Sequence, residues 1–175
     1  MRFTLCLLWL AHSLCVVGQG AIRNDLAQTY LSQVGIREAT GRNDGTQVEM
    51  YLHSVKAKRG QSWCAAFVSW CLQQHDIPHP QSAWSPALFP KRHTVFVRGQ
   101  PYTYAPQRGD VFGLYYTNLG RIGHVGFIEQ WDYGGKFVIT VEGNTNEAGS
   151  RQGDGVYRKK RPKRTIYKIA NFIDR

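Results

Sequence analysis

Two of the four cysteines stand seven residues apart in the run SWCAAFVSWCL, which covers residues 62–72. Cys64 and Cys71 allow four interpretations: a disulfide, a metal-binding pair, two core side chains, or a nucleophile beside a core residue. The alanines and apolar side chains of the run favour a helix. Seven residues of helix rise about 10.5 Å, whereas bridged cysteines need Cα atoms within about 7 Å of each other. A helix therefore excludes the disulfide, and the run has no C-x2-C spacing for zinc.

Core packing and nucleophilic chemistry remain, and the positions of the two thiols in the predicted helix separate them. Cys71 lies deep in the helix, where we expect a buried, unreactive side chain. Cys64 falls in the first turn, after Ser62 as a candidate cap. Unpaired backbone N–H groups and the helix dipole favour negative charge at that end and lower the pKa of a thiol. We therefore predict that Cys64 is a reactive thiolate.

A thiolate nucleophile needs a base, and His124 is the candidate among the six histidines. It opens a predicted strand in the segment IGHVGFIEQW, where Gly123 and Gly126 permit close approach of a substrate or of another backbone. The other five histidines lie in the N-terminal segment, in a polar part of a helix or in the loop-rich middle of the chain. We expect those five to be structural or solvated.

The base needs an orienting partner, and the segment FVITVEGNTN offers Glu142 and Asn144 on one strand face. A hairpin with a three-residue loop at 133–135 joins this strand to the strand of His124. That loop places His124 opposite Asn144 and diagonal to Glu142. Opposite residues lie about 5 Å apart and diagonal residues about 7 to 8 Å apart. If the pairing of the two strands were shifted by one residue, a bulge would be needed to bring the same residues together.

The elements that position these residues divide the chain into helices first and strands second. Helices are predicted over 21–35, with a cap at Asn24 or Asp25, and over 46–55. The loop-rich middle has room for one short helix and one short strand. Five strands are predicted to begin at Asp110, His124, Phe137, Gly155 and Thr165. This order predicts an α+β domain in which N-terminal helices pack on a C-terminal antiparallel sheet.

The N-terminus is typical of a secretory signal peptide over residues 1–20, with a basic start, an apolar stretch and small residues after it. A membrane anchor is the alternative, but His12 interrupts the stretch, which is shorter than the roughly 20 residues of a span. Cleavage would remove Cys6 and Cys15 and leave a single domain over 21–175. We expect that domain to be secreted or periplasmic.

The formal net charge of +10 suits an anionic partner. Much of the charge lies in the run RKKRPKR at 158–164, which we interpret as a charged strand end and turn on a solvated face. The same run supports a competing hypothesis, a catalytically silent module that binds an anionic envelope polymer. Loss of function in Cys64→Ala would favour the hydrolase over the binding module.

The ordered segments WCAAFVSWCL, RGDVFGLYY, GHVGFIE, VEGNTN and GVYRKKR resemble the CHAP domain, the cysteine- and histidine-dependent amidohydrolase/peptidase family of the papain-like NlpC/P60 superfamily. The resemblance implies Cys64 as nucleophile, His124 as base, Glu142 as the residue that orients the imidazole and Asn144 as a fourth, supporting polar group. With an exported chain, it implies a bacterial peptidoglycan hydrolase. The bond is either the muramoyl–L-alanine amide or a peptide bond of the stem or cross-bridge.

The resemblance also separates this chain from calcium-binding members of the family. The segment SVKAKRGQSWC before the nucleophile is basic and has no carboxylate for calcium, so we predict no metal and no cofactor. The Cys64 N–H is expected to hold the oxyanion, with Gln61 as a candidate for the second donor. We expect peptidoglycan as the partner, no nucleic acid, no stable membrane insertion after cleavage, and a monomer. An amidase toxin aimed at competing bacteria would use the same chemistry.

Overall fold

The structure is a computed structural model that describes the backbone of residues 4–147 and 153–174 and the side chains of residues 18–147 and 153–174. Within these ranges the α-helices are α1 (Thr4–Ser32), α2 (Thr46–Ser54) and α3 (Cys64–Gln73). Short 3-10 helices cover Ser85–Leu88, Thr117–Leu119 and Lys163–Thr165. The two later helices match the predicted ones closely, and the loop-rich middle holds the short helix and the short strand that were expected there.

The strands form one antiparallel sheet in the order β1-β6-β2-β3-β4-β5. Their bounds are β1 (Thr94–Val97), β2 (Val111–Tyr116), β3 (Arg121–Trp131), β4 (Phe137–Thr145), β5 (Gly155–Pro162) and β6 (Ile166–Ala170). Helices that precede and cover an antiparallel sheet make an α+β fold, and they confirm the predicted fold class. One boundary was wrong: β3 begins at Arg121, so His124 lies inside the strand instead of opening it.

Helix α1 is continuous from Thr4 to Ser32, so the predicted helix start near residue 21 and the caps at Asn24 and Asp25 are wrong. The segment contains no proline, and its glycines lower helix propensity without removing a hydrogen bond. The predicted leader therefore overlaps the first part of α1. The side chains of residues 1–17 lie outside the described part, including those of Cys6 and Cys15. Within that part, no helix combines the length and the apolar character that crossing a membrane requires.

The core lies between the helices and the sheet, with α3 at its centre. All residues of α3 from Cys64 to Ser69 are buried, and the helix packs on β3 and β4. Gly143 makes this packing possible, because a Cβ there would stand 2.7 Å from the Trp63 ring and 2.8 Å from Phe67. The close contact fixes the start of α3 against β4.

The hairpin of β3 and β4 has the predicted register beside the site but a different turn. Phe127 pairs with Val141, as the predicted loop requires. Nearer the turn Trp131 pairs with Val138, one residue away from the prediction, so the predicted three-residue loop is wrong. A bulge at Glu129 absorbs the difference. The bulged Glu129 carboxylate accepts hydrogen bonds from Tyr30 and Arg108, which explains why the extra residue is accommodated there.

Candidate active site

Cys64 is the first residue of α3, and the residue is 4% exposed. The N-cap position belongs to Trp63 and carries no side-chain cap bond, so the predicted cap at Ser62 is wrong. The Trp63 backbone N–H instead donates to Oδ1 of Asn144, at 3.2 Å. An amide from β4 therefore caps the helix, and the Cys64 sulfur lies at the end where the helix dipole favours an anion.

His124 lies between the thiol and a carboxylate. Its Nε2 is 2.8 Å from Oε2 of Glu142, and its side chain is hydrogen-bonded to Cys64. Because Nε2 is bonded to Glu142, Nδ1 is the ring nitrogen that faces the sulfur. The structure therefore brings together three of the four predicted site residues in a thiol–imidazole–carboxylate series.

Glu142 is completely buried and has two further partners that hold it as an anion. Both carboxylate oxygens accept hydrogen bonds from Arg161 on β5, and Thr140 donates to Oε1 at 2.5 Å. Arg161 belongs to the basic run that we predicted to lie on a solvated face. That prediction is wrong for Arg161, whose side chain is 18% exposed, although Arg158 and Lys160 are exposed as expected.

The charges of this series reinforce one another. Burial alone would raise the pKa of the Cys64 thiol, but the hydrogen bond and charge of His124 outweigh burial and hold the pKa below its ordinary value. Burial likewise opposes the imidazolium, yet Cys64 and Glu142 raise the pKa of His124 to about 9. Against its own burial, Glu142 has its pKa lowered to about 2 by Arg161 and His124. All three shifts favour the charged forms, which are the thiolate, the imidazolium and the carboxylate.

Asn144 is not placed where the strand register predicted it. The residue has a left-handed backbone, with φ of 54°, next to a bulge in the pairing of β4 with β5. Its side chain bonds the Trp63 N–H, the Asn43 side chain and, at 3.4 Å, Glu38. Asn144 therefore supports the start of α3, instead of facing His124 across the two strands.

Gly126 permits the close approach that the sequence predicted beside His124. A Cβ at this position would lie 2.7 Å from the carbonyl oxygen of Val141 and 2.8 Å from Cγ of Glu142. Only a residue without a side chain leaves room for the carboxylate at its present position. Gly123 is similarly close to the Tyr116 ring.

Two further contacts to the sulfur were missed by sequence reasoning. Ser85 is buried at the start of the 3-10 helix Ser85–Leu88, and its Oγ lies 3.5 Å from the Cys64 sulfur. The backbone N–H of Val125 also donates to the thiol group. Both contacts favour the thiolate. Ser85 lies in a loop-rich segment without periodicity, so its sequence carried no signal of this role.

The sulfur opens into a cleft with two limbs that share Ser62, Cys64, Tyr116 and Gly123. Each limb has a volume of about 480 Å³. The arginine limb also contains His124 and is defined by its basic side chains, Arg98, Arg161 and Arg164. The tryptophan limb is defined by Trp84, Leu119 and Arg121, and it also contains Gln61 and Ser85. A bound chain can therefore extend to both sides of the thiol.

Cys71 agrees with the core interpretation. It is fully buried, unbridged, and has a pKa raised well above its ordinary value by burial. Trp63 is also a core residue, whereas Trp84 is 52% exposed in the cleft. Among the side chains that the structure describes, no group of three or more His, Cys, Asp or Glu residues is arranged to hold a metal ion.

An α+β fold that presents a thiol, an imidazole and a carboxylate at one cleft is the arrangement expected of a papain-like cysteine hydrolase. The family model of the CHAP domain matches residues 56–144, slightly more than half of the chain. The chain belongs to the CHAP family, which is part of the papain-like cysteine/histidine amidohydrolase/peptidase superfamily. Membership indicates peptidoglycan amidase or peptidase activity as the function of the class.

Comparisons with curated proteins and with solved structures do not extend this assignment. No curated protein matches the chain significantly. Among solved structures, the crystal structure of Ly7917 is similar, with 18% sequence identity and a TM-score of 0.43. The match covers 85% of this chain and 61% of that one.

Proposed function

We propose that this protein is an exported cysteine hydrolase that cleaves an amide or peptide bond in bacterial cell-wall peptidoglycan. The observation that carries the proposal is the hydrogen-bonded series from Cys64 through His124 to Glu142 at the centre of an open cleft. A structural cysteine needs neither a charged imidazole nor a cleft. Family membership supports peptidoglycan as the class of substrate.

In the proposed reaction, the Cys64 thiolate attacks the carbonyl carbon of the scissile amide and forms a C–S bond. The His124 imidazolium then gives its proton to the departing nitrogen as the C–N bond breaks, which leaves a thioester and a free amine. Neutral His124 next takes a proton from water, and the resulting hydroxide hydrolyses the thioester. Glu142 keeps the ring oriented and stabilises its positive charge in each half of the cycle.

The oxyanion formed in each half of the reaction needs preorganised donors. The Cys64 backbone N–H is the first, because N–H groups in the first turn of a helix have no intrahelical acceptor. Gln61 remains the candidate for the second. Its side-chain oxygen accepts a hydrogen bond from the Lys58 N–H at 2.8 Å, so the NH2 end of the amide is the end that would donate to substrate.

The direct test is mass spectrometry of muropeptides after digestion of purified peptidoglycan with wild-type protein and with Cys64→Ala. Free stem peptides identify an amidase, and shortened or unlinked stems identify an endopeptidase. Cys71→Ala is the matched control, since it removes a thiol from the same helix but not from the cleft. Muropeptide profiles unchanged by the wild-type protein would refute the proposal.

Export is a separate part of the proposal and rests on the leader-like residues 1–20. The mature domain would then begin near residue 21 and act as a secreted or periplasmic monomer. N-terminal sequencing of the protein recovered outside the cytoplasm tests the cleavage point, and light scattering tests the monomer. An intact N-terminus on the exported protein would contradict the leader.

A further inference from the structure

The arginine limb carries positive charge that the site chemistry does not use. Of its three arginines, Arg161 is neutralised by Glu142. Arg98 and Arg164 are both exposed, and neither forms an ion pair with any acidic side chain that the structure describes. No Asp or Glu is among the described residues that line this limb. Two guanidinium groups therefore face the cleft with their charges uncompensated.

Arg98 is also held in place. Its Nη1 donates to the backbone carbonyl of Arg164 at 3.0 Å, and its guanidinium carbon lies 5.4 Å from the centre of the Tyr167 ring. These contacts occupy one nitrogen and one face of the group, and they leave donors for a ligand. A guanidinium fixed in this way loses less side-chain entropy on binding than a free surface arginine does.

We infer that Arg98 and Arg164 form a subsite for a carboxylate of the substrate peptide. The inference rests on the proposed function, because the arginine limb contains both Cys64 and His124 and its occupant is therefore part of the molecule that is cleaved. Peptide stems in bacterial walls carry free carboxylates, and guanidinium groups bind carboxylates with paired, charge-assisted hydrogen bonds. The subsite would select stems whose carboxylate is free over stems in which it is amidated.

The tryptophan limb differs from the arginine limb in the number and the contacts of its arginines. Its arginine, Arg121, stacks on the Trp84 ring at 4.0 Å and donates from Nη1 to the carbonyl of Ile122. Arg121 is the one arginine among the described residues of the tryptophan limb, whereas the arginine limb has two exposed guanidinium groups that can bind one carboxylate together. We therefore assign carboxylate recognition to the arginine limb alone.

The experiment compares two synthetic substrates that share the scissile amide, one with free stem carboxylates and one with these carboxylates amidated. Initial rates give kcat/KM for the wild type, Arg98→Gln, Arg164→Gln and the double variant. Arg92→Gln is the charge-matched control, because Arg92 is exposed and lies outside both limbs. We expect the wild type to prefer the acidic substrate at least about tenfold, as a charge-assisted contact predicts.

In the double variant the preference should fall to near unity, mainly through a higher KM for the acidic substrate. In the wild type, the preference for the acidic substrate should also weaken when salt is added. The inference is overturned if the wild type shows no preference, if the double variant keeps it, or if Arg92→Gln loses it equally. Equal melting temperatures would show that the exposed substitutions leave the fold intact.

Failure of the proposed function would look different, since the wild type would then cleave neither substrate. In that case the subsite is tested by calorimetric titration of the same two peptides into Cys64→Ala and into Cys64→Ala with both arginines replaced. Selective binding of the acidic peptide that disappears with the arginines upholds the subsite. Equal affinities for the two peptides reject it.

Discussion

Arg161 and Glu142 form a two-bond ion pair behind His124, with one guanidinium nitrogen on each carboxylate oxygen. The pair joins β5 to β4 and continues through the carboxylate to the imidazole. The basic run of β5 therefore contributes directly to the charge of the site. A buried anion that has lost one cationic partner is costly, so the pair makes a strong test of the site.

Arg161→Gln should destabilise the fold by about 3 kcal/mol, because it leaves the buried Glu142 carboxylate without its main partner. It should also raise the pKa of Glu142 and move the acidic limb of the rate profile to higher pH. Urea unfolding and a pH series of kcat/KM measure the two effects. Arg158→Gln on the same strand removes an exposed arginine and should change neither; equal behaviour of the two variants would argue against the role of Arg161.

Glu142 should make stability depend on pH on the acidic side. Its pKa is about 2 in the folded protein and about 4.5 when unperturbed. A lowered folded pKa stabilises the fold fully above the unfolded value, and that contribution is lost as pH falls through the folded one. The difference in unfolding free energy between wild type and Glu142→Gln should thus shrink by on the order of 3 kcal/mol between pH 5 and pH 2. A difference independent of pH would contradict the buried carboxylate.

The Cys64 thiol should react with iodoacetamide at pH values below the ordinary thiol pKa, because His124 holds its pKa down. The alkylation rate is measured in a Cys71→Ala background. When Ser85→Ala removes the hydroxyl beside the sulfur, this rate should fall and the midpoint of its pH profile should move to higher pH. Ser69→Ala is the control, since that buried hydroxyl bonds the Ser82 carbonyl instead. An unchanged midpoint in Ser85→Ala would show that Ser85 does not stabilise the thiolate.

Gly126→Ala should displace Glu142, because the added Cβ would lie 2.7 to 2.9 Å from backbone and side-chain atoms that are themselves packed. We expect a loss of about 1 to 3 kcal/mol in stability and a loss of roughly tenfold or more in kcat/KM. Gly134→Ala is the matched control in the hairpin turn, where the nearest atom outside the adjoining residues is 3.9 Å away. Activity retained in Gly126→Ala would mean that the carboxylate can shift without consequence.

Asn144→Gly should distinguish between two roles of Asn144, one as a cap of α3 and the other as a partner of His124. Glycine tolerates the φ of 54°, so the change removes only the side chain. We expect a loss of about 1 kcal/mol in stability and slower alkylation of Cys64. The alkaline limb of the pH profile of kcat/KM, which reports the pKa of His124, should not shift. A shifted alkaline limb would instead support the cross-strand role that the sequence predicted.

The site could be predicted as far as local pattern carries information. Cys64 was placed at a helix start from residue types alone, and His124 was brought to Glu142 by strand alternation. The turn was wrong by one residue, yet the bulge at Glu129 restored the register beside the site. A bulge that depends on contacts with a distant helix has no local signal.

Other parts depend on long-range contacts that no local pattern encodes. Charged residues occupy both faces of β5, so alternation could not distinguish Arg161 from its exposed neighbours. Asn144 leaves the ladder because its backbone turns left-handed at a bulge. The start of α1 shows a different limit, because the residues before the predicted helix start also favour a helix and give no local signal of a boundary there.

The burial of Cys71 has a practical consequence for the chemistry of Cys64. Among the described side chains it is the only other thiol, and it lies seven residues further along the same rigid helix. Oxidation of Cys64 to a sulfenic acid therefore finds no resolving thiol within the described domain to trap it as an internal disulfide. We expect peroxide to abolish the activity of the Cys64 thiolate readily. Small-molecule reductants should restore this activity after short exposure, and prolonged exposure should make the loss permanent.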